Sequence, residues 1–328
     1  MTKIKNFLFA NSDIILCFLL LGLILLVCVN PSPYISATYR GFTVWAKIVL
    51  PSLFVFFILT KILMQLDISF KIFGILDKPF AKLFGVKHFG GYVFLMSILS
   101  GYPVGTKLTS ELYQQGYISQ TEAYKMLSFT STSGPMFIIG SVALSMFGNA
   151  KLGVVVFFCH IFSAFINGFF YRNVKCPELE KNNKHIKDTN PKPTLNEIVQ
   201  NSIISLLMVG GYIALSFCIL EIFLHNSIMS IVSNFIYKIF GADYLTPIIS
   251  GIVEVTSGCV SLSQLASNNG ILCILLSCLI SFGGLSIHLQ SQMFASKANI
   301  KYSYFLKIKT TQTLIAFVLS LICSFIFF

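Results

Sequence analysis

Charge is what this sequence has least of. Only 11 % of its 328 residues are charged, 12 acidic against 23 basic, and tryptophan occurs once. A soluble domain carries roughly a quarter charged residues, so this scarcity, with a mean hydropathy of +0.80, excludes an ordinary soluble fold. The catalytic signatures are missing too. No P-loop, H-E-x-x-H, G-x-S-x-G or paired soluble carboxylates occur, which argues against an enzyme and calls for no cofactor. There is no C-x-x-C pair, and most of the nine cysteines, among them Cys17, Cys28, Cys159, Cys218, Cys273 and Cys278, lie within apolar blocks. They read as small buried hydrophobes, neither a disulfide framework nor a metal site.

What the chain has is apolar length. Several blocks of about 20 residues match the reach of a helix across roughly 30 Å of hydrocarbon, which predicts an all-α polytopic membrane protein. The first block, 13–30, follows Lys3 and Lys5 but is longer than a signal-peptide core, and "NPSPY" lacks a small-x-small cleavage pattern. The net charge of +11 is placed by topology rather than by nucleic acid. With the N-terminus cytoplasmic, block 13–30 leads out to Arg40 and block 42–66 leads back to Lys71, Lys78, Lys82 and Lys87. Blocks 123–148 and 152–171 then return the chain to the basic linker 172–197. Block 198–224 leads out again, and a later crossing returns to Lys297, Lys301, Lys307 and Lys309.

The linker divides the chain into an N-terminal helix and loop (1–41), a first repeat (42–171), the cytoplasmic basic linker itself (172–197) and a second repeat (198–328). Both repeats carry an amphipathic stretch with a common ending, "AKLFG" at 81–85 and "YKIFG" at 237–241. An offset of 153 then pairs Gly105 with Gly258, Leu112 with Leu265, Ser128 with Ser281, Phe129 with Phe282 and Ser133 with Ser286. Each half reads as a crossing, an interfacial helix, a short interrupted pair, a crossing broken in its middle, and a last crossing. Three crossings per half make the repeats inverted, with a site expected at the midplane.

Four polar breaks in apolar runs mark that site. The first, "SGYPVGTK", offers Ser100, Gly101, Tyr102, Pro103, Gly105, Thr106 and Lys107. The second, "TSTSGP", offers Thr132, Ser133 and Gly134. The third, "EVTSG", offers Glu254, Thr256, Ser257 and Gly258, and the fourth, "SFGGLSIHLQ", offers Gly283, Gly284, Ser286, His288 and Gln290. Backbone freed by a break cannot face lipid and must line an enclosed or watery cavity. The half-helix N-termini there favour an anion. Each feature also has a plainer reading: the glycines as close-packing positions, Lys107 as a side chain snorkelling to the interface, His288 as a hydrogen-bonded core residue, and His160 and His225 as structural or interfacial. Glu254, alone in an apolar run, needs a partner, a proton or a cation, and Lys107 is a candidate partner. Lys47 and Glu221 stay unassigned.

The stretch "SGYPVGTKLTSELYQQGYISQTEAYKMLSFTSTSGPMFIIGSV" resembles the nucleoside-recognition, or Gate, domain, and most closely the YlbJ-type sporulation membrane proteins. "SGIVEVTSG" and "SFGGLSIHLQ" resemble their second half, and the likeness runs from about 42 to 328. The resemblance implies a fold similar to concentrative nucleoside transporters, with two re-entrant hairpins and two broken helices around one substrate site. It also implies a role in endospore formation, with transport of a small anionic substrate, dipicolinic acid, across the outer forespore membrane. A trimeric homo-oligomer would suit the same resemblance. The readings kept beside it are a nucleoside or cation-coupled permease and a non-transporting membrane scaffold.

Overall fold

The computed structural model describes residues 12–66, 68, 72, 74–175, 194–224, 234, 235, 237–239, 244–265 and 268–328. Among these the chain is helical and contains no strand. Five helical stretches among the described residues are long and apolar enough to cross a membrane: Pro31–Gln65, Ala150–Phe170, Leu195–Ile222, Asn269–Ala298 and Tyr302–Phe327. The protein is an integral membrane protein. Its outward side chains, such as Phe18, Val55, Phe158, Leu207 and Phe325, are large and apolar, as a surface solvated by lipid tails requires.

The order begins with α1 (Ser12–Val29), followed by α2 (Pro31–Gln65). A loop around Arg40 was expected, but with Pro31 at the helix start α2 runs straight through it, and the expected boundary at 41/42 falls inside the helix. α3 (Asp77–Phe84) is short and amphipathic, burying Phe80 and Phe84 and ending at Gly85, which takes φ +67. Its first residue is held by the chain that follows, since Asp77 accepts the Phe89 and Gly91 N–H groups. The "YKIFG" counterpart lies largely outside the described residues, as does most of the 172–197 linker, where description stops at Lys175 and resumes at Thr194.

A helical hairpin follows, α4 (Gly90–Ser100) and α5 (Val104–Gln114), and then a broken helix, α6 (Gln120–Thr130) and α7 (Met136–Met146). α6 opens on a capping box in which the Ser119 hydroxyl accepts the Glu122 N–H and Glu122 accepts the Ser119 N–H. α7 winds about one residue wider per turn than an α-helix. α8 (Ala150–Phe170) starts at Asn149, whose side chain accepts the Leu152 N–H. After α9 (Leu195–Leu224) the same kinds of element recur: a hairpin, α10 (Leu245–Val253) and α11 (Val255–Ser263), a broken helix, α12 (Asn269–Phe282) and α13 (Gly284–Ala295), and a last long helix, α14 (Tyr302–Phe327).

Three apolar clusters hold these elements. Phe80, Phe84, Phe94, Phe129 and Phe165 interlock α3, α4, α6 and α8, with Phe84 stacked on Phe129 at 4.6 Å between ring centroids. Val142, Val156, Val255, Cys259, Cys273 and Leu276 bind α7 and α8 to α11 and α12. Val49, Leu53, Leu206 and Ile213 seal α2 against α9, helped by a 3.0 Å bond from Trp45 Nε1 to the Leu206 carbonyl. The described cysteines are all free; Cys17 and Cys28, expected in the core, are exposed on α1 instead.

Candidate functional site

The two hairpin tips and the two helix breaks meet. α4 ends at Gly101, whose φ of +73 suits glycine; a Cβ there would lie 2.8 Å from the Gly134 nitrogen, so the first tip rests directly on the first break. Several polar groups of break residues 131–134 are held from different directions. The Ser133 N–H donates to His160 Nε2 at 2.8 Å, and Thr132 Oγ1 donates to Ser97 Oγ at 3.2 Å. On the other face of the ring, His160 Nδ1 lies 2.9 Å from Ser281 Oγ. Because Nε2 accepts, the proton sits on Nδ1 and the imidazole is neutral. His160 therefore acts as a structural histidine, as the plainer reading expected, tying the first break to α12.

The second tip turns through one residue. Glu254 is extended (φ −150, ψ 124), and its carboxylate caps α11, accepting the Ser257 N–H at 2.8 Å and the Thr256 hydroxyl at 3.0 Å. The second break lies against it: Gly283 and Gly284 take φ +89 and +70, and a Cβ on Gly284 would stand 2.9 Å from the Gly251 carbonyl oxygen. His288 Nε2 lies 2.9 Å from the Phe282 carbonyl oxygen and its Nδ1 3.2 Å from the Tyr302 hydroxyl. That arrangement satisfies the carbonyl freed where α12 stops, so His288 mends the break.

Between these four segments is a cavity of about 80 Å³, room for several waters. Ser100, Gly101, Tyr102, Ser133, Gly134, Glu254, Thr256, Ser286 and Gln290 supply its walls, and Phe56, Phe57, Phe137, Val209 and Tyr212 supply apolar surface from α2, α7 and α9. Every one of the four breaks read from the sequence contributes. The N-termini of α5, α7, α11 and α13 start at these segments, as do the C-termini of α4, α6, α10 and α12, so both signs of helix dipole are present.

The other candidates lie elsewhere. Pro103 stands behind the first tip at the start of α5. Gly105 is a packing position, since a Cβ would fall 1.8 Å from the Thr130 carbonyl oxygen; Gly258 is another, 2.4 Å from Gly251 Cα. Thr106 is buried on α5, with no hydrogen-bond partner for its hydroxyl among the described residues. Ser257 faces a second pocket of about 420 Å³. In that wall Arg40, expected in an outer loop, and Glu221, left unassigned by the sequence, form an ion pair at 2.7 Å.

Lys107 does not border the cavity. Its side chain is half-exposed and lies 3.8 Å from Glu111, one turn along α5, so the expected pairing with Glu254 is replaced by an i,i+4 pair on the outer face of its own helix.

The cation near the cavity is Lys309, which the charge count had placed with the loop lysines. It is fully buried in α14. Its ammonium donates to the Tyr102 hydroxyl at 2.8 Å, to Gln312 Oε1 at 2.8 Å and to the Ser131 carbonyl at 3.1 Å, and it lies 4.8 Å from the Tyr102 ring centroid. The sequence did hold a signal. Residues two apart on a helix point about 200° apart, so Lys307 and Lys309 face opposite sides of α14, and one of them must meet the bundle. Among the described residues no group of three or more His, Cys, Asp or Glu gathers as metal ligands.

Fold and site together define an integral membrane protein, helical throughout its described residues, whose interrupted helices bring a few polar groups to a small, mainly apolar cavity. Over an alignment covering 84 % of this chain and 74 % of the relative, it is 30 % identical to the sporulation integral membrane protein YlbJ of Bacillus subtilis (strain 168). The chain belongs to the YlbJ family of sporulation integral membrane proteins. No family model matches it, and no solved structure matches it.

Proposed function

We propose that this protein carries a small organic anion, with dipicolinic acid the foremost candidate, across a membrane formed during sporulation. The observation that carries the reading is the cavity to which both hairpin tips and both helix breaks contribute. Unwound backbone inside hydrocarbon is tolerated only where it lines such a space, and it is the device by which secondary carriers hold polar solutes. Tyr102, backed by the Lys309 ammonium, favours a negative ligand. The sporulation context rests on the relative's name, and the outer forespore membrane, with the N-terminus cytoplasmic, is the expected location.

The same element order in the two halves supports the inverted repeat, with segments 42–171 and 198–328 as its units, re-entrant hairpins at 90–114 and 245–263, and a likeness to concentrative nucleoside transporters. Enzymatic chemistry has no part in this reading, and a trimer would suit it. One observation favours a second reading, a nucleoside or cation-coupled permease: Glu254 places a carboxylate in the cavity wall, where a cation would be held. Uptake of labelled dipicolinate, uridine and phosphate into proteoliposomes containing only this protein separates the two. Dipicolinate uptake alone supports the anion carrier, uridine uptake supports the permease, and uptake of none removes both in favour of a scaffold.

A further inference from the structure

We propose that Lys309 determines the sign of charge the cavity accepts, acting through Tyr102. This rests on the carrier reading above and names the residue that would give it selectivity.

The first observation is the state of the ammonium. Removing a charge from water costs several kcal/mol unless it is paired or fully hydrogen-bonded. Lys309 has no carboxylate within ion-pair range among the described residues. Its three hydrogens instead meet three neutral acceptors on three elements: Tyr102 at the first hairpin tip, Ser131 in the first break, and Gln312 one turn on in α14. Each offers an acceptor oxygen, and three acceptors match the three N–H groups of an ammonium. The positive charge is therefore satisfied in hydrogen bonds but not neutralised.

The second observation is that its surroundings have donors to spare. Gln312 Nε2 and Ser131 Oγ are buried and have no hydrogen-bond partner among the described residues, although the same two residues supply oxygens to Lys309. A cation beside an unused amide N–H₂ and an unused hydroxyl is a positive region lacking its anion. Glu254, the carboxylate of the cavity wall, makes no ion pair with Lys309 and is engaged by the Ser257 N–H and the Thr256 hydroxyl.

The third is the route to the ligand. Tyr102 lines the cavity, receives the Lys309 hydrogen bond on its hydroxyl, and donates its own proton to the Ile280 carbonyl at 3.2 Å. The ring thus stands between the buried charge and the cavity, its hydroxyl held by both contacts. A negative group in the cavity feels the ammonium at short range in a medium of low dielectric, where the field is strong. A neutral group of equal shape gains little. Lys309 is a positioning residue, and its role is to separate anions from neutral isosteres.

The test compares two probes of one shape, pyridine-2,6-dicarboxylate and its neutral diamide, by titration calorimetry on the purified full-length protein. The wild type is expected to bind the dianion more tightly. Lys309→Met, which keeps the length and removes the charge, should weaken the dianion by roughly tenfold or more while changing diamide affinity by less than about twofold. A purely structural lysine would weaken both equally, and that result overturns the proposal. If Lys309→Met does not yield folded protein, Tyr102→Phe decides: it keeps the ring, removes the hydroxyl that Lys309 holds, and should narrow the dianion preference, whereas an unchanged preference overturns the proposal. Wild-type protein that binds neither probe removes the anion-carrier reading and this inference with it. Wild-type preference for the dianion with an unchanged ratio in Lys309→Met removes this inference alone.

Discussion

At the first hairpin tip the chain turns through Gly101, Tyr102 and Pro103, with a buried cation behind it; at the second, Glu254 does the turning and brings a carboxylate. Each tip lies against its own half's helix break, Gly101 on Gly134 and Gly251 under Gly284, at separations only glycine allows. The offset of 153 that pairs Gly105 with Gly258 also pairs Gly101 with Glu254. Two similar backbone devices thus meet one cavity with opposite chemistry. Close backbone packing makes the place, and single side chains give it polarity.

The comparison is broken most severely where the two hairpins are alike. Gly105→Leu puts side-chain atoms into the Thr130 carbonyl and Gly258→Ala puts a Cβ into Gly251, so both should cost about 3 kcal/mol or more. Loss of monodisperse protein on detergent extraction is the expected outcome, and folded protein lacking only ligand binding would return Gly105 to the cavity. At Gly283 there is room, since the nearest atom to a Cβ is 3.5 Å away, but φ is +89. Gly283→Ala should therefore fold with a penalty of about 1–2 kcal/mol, read as a lowered melting temperature.

Where the tips differ, the effects should be smaller and more specific. Glu254→Ala removes the cap of α11 and should cost about 1 kcal/mol. Glu254→Gln keeps one acceptor and should cost less, while altering cation dependence if that carboxylate holds a coupling ion. Smallest of all, Lys107→Gln should change melting by less than about 0.5 kcal/mol and leave anion binding unchanged, because the side chain is 48 % exposed and its pairing with Glu111 is screened by solvent. A strong loss of anion binding in that variant would move the cation of the site from Lys309 to Lys107.

The positions of the breaks were legible because Gly, Pro, Ser and Glu each weaken a helix or cost solvation inside an apolar run, and all four breaks border the cavity. Their individual roles were less legible. Glycine marks close packing and ligand approach alike, so Gly105 and Gly258 read as binding residues until the distance to the neighbouring backbone was known. Lys107 lies off the cavity because a turn containing Gly101 and Pro103 sets the rotation of α5, and that angle is not encoded by spacing. Lys309 was hidden by its neighbours: counted with Lys307 it looked like a loop charge, although the helix turns the two apart. The loop expected near Arg40 failed for a local reason, since one arginine paired with Glu221 does not interrupt a helix.

The first break is finished by residues that are made much later. The Ser131 carbonyl waits for Lys309, and the Tyr102 hydroxyl for both Lys309 and the Ile280 carbonyl, partners 178 and more positions further along the chain. During synthesis the first half therefore enters the bilayer with unsatisfied polar groups, and remains so until α12 and α14 arrive. Residues 1–175 expressed without the remainder should be inserted yet rapidly degraded, and rescued when 194–328 is supplied in the same cell. Assembly of this protein is in that sense ordered from its C-terminal end, with α14 acting as the closing step of a structure begun more than two hundred residues earlier.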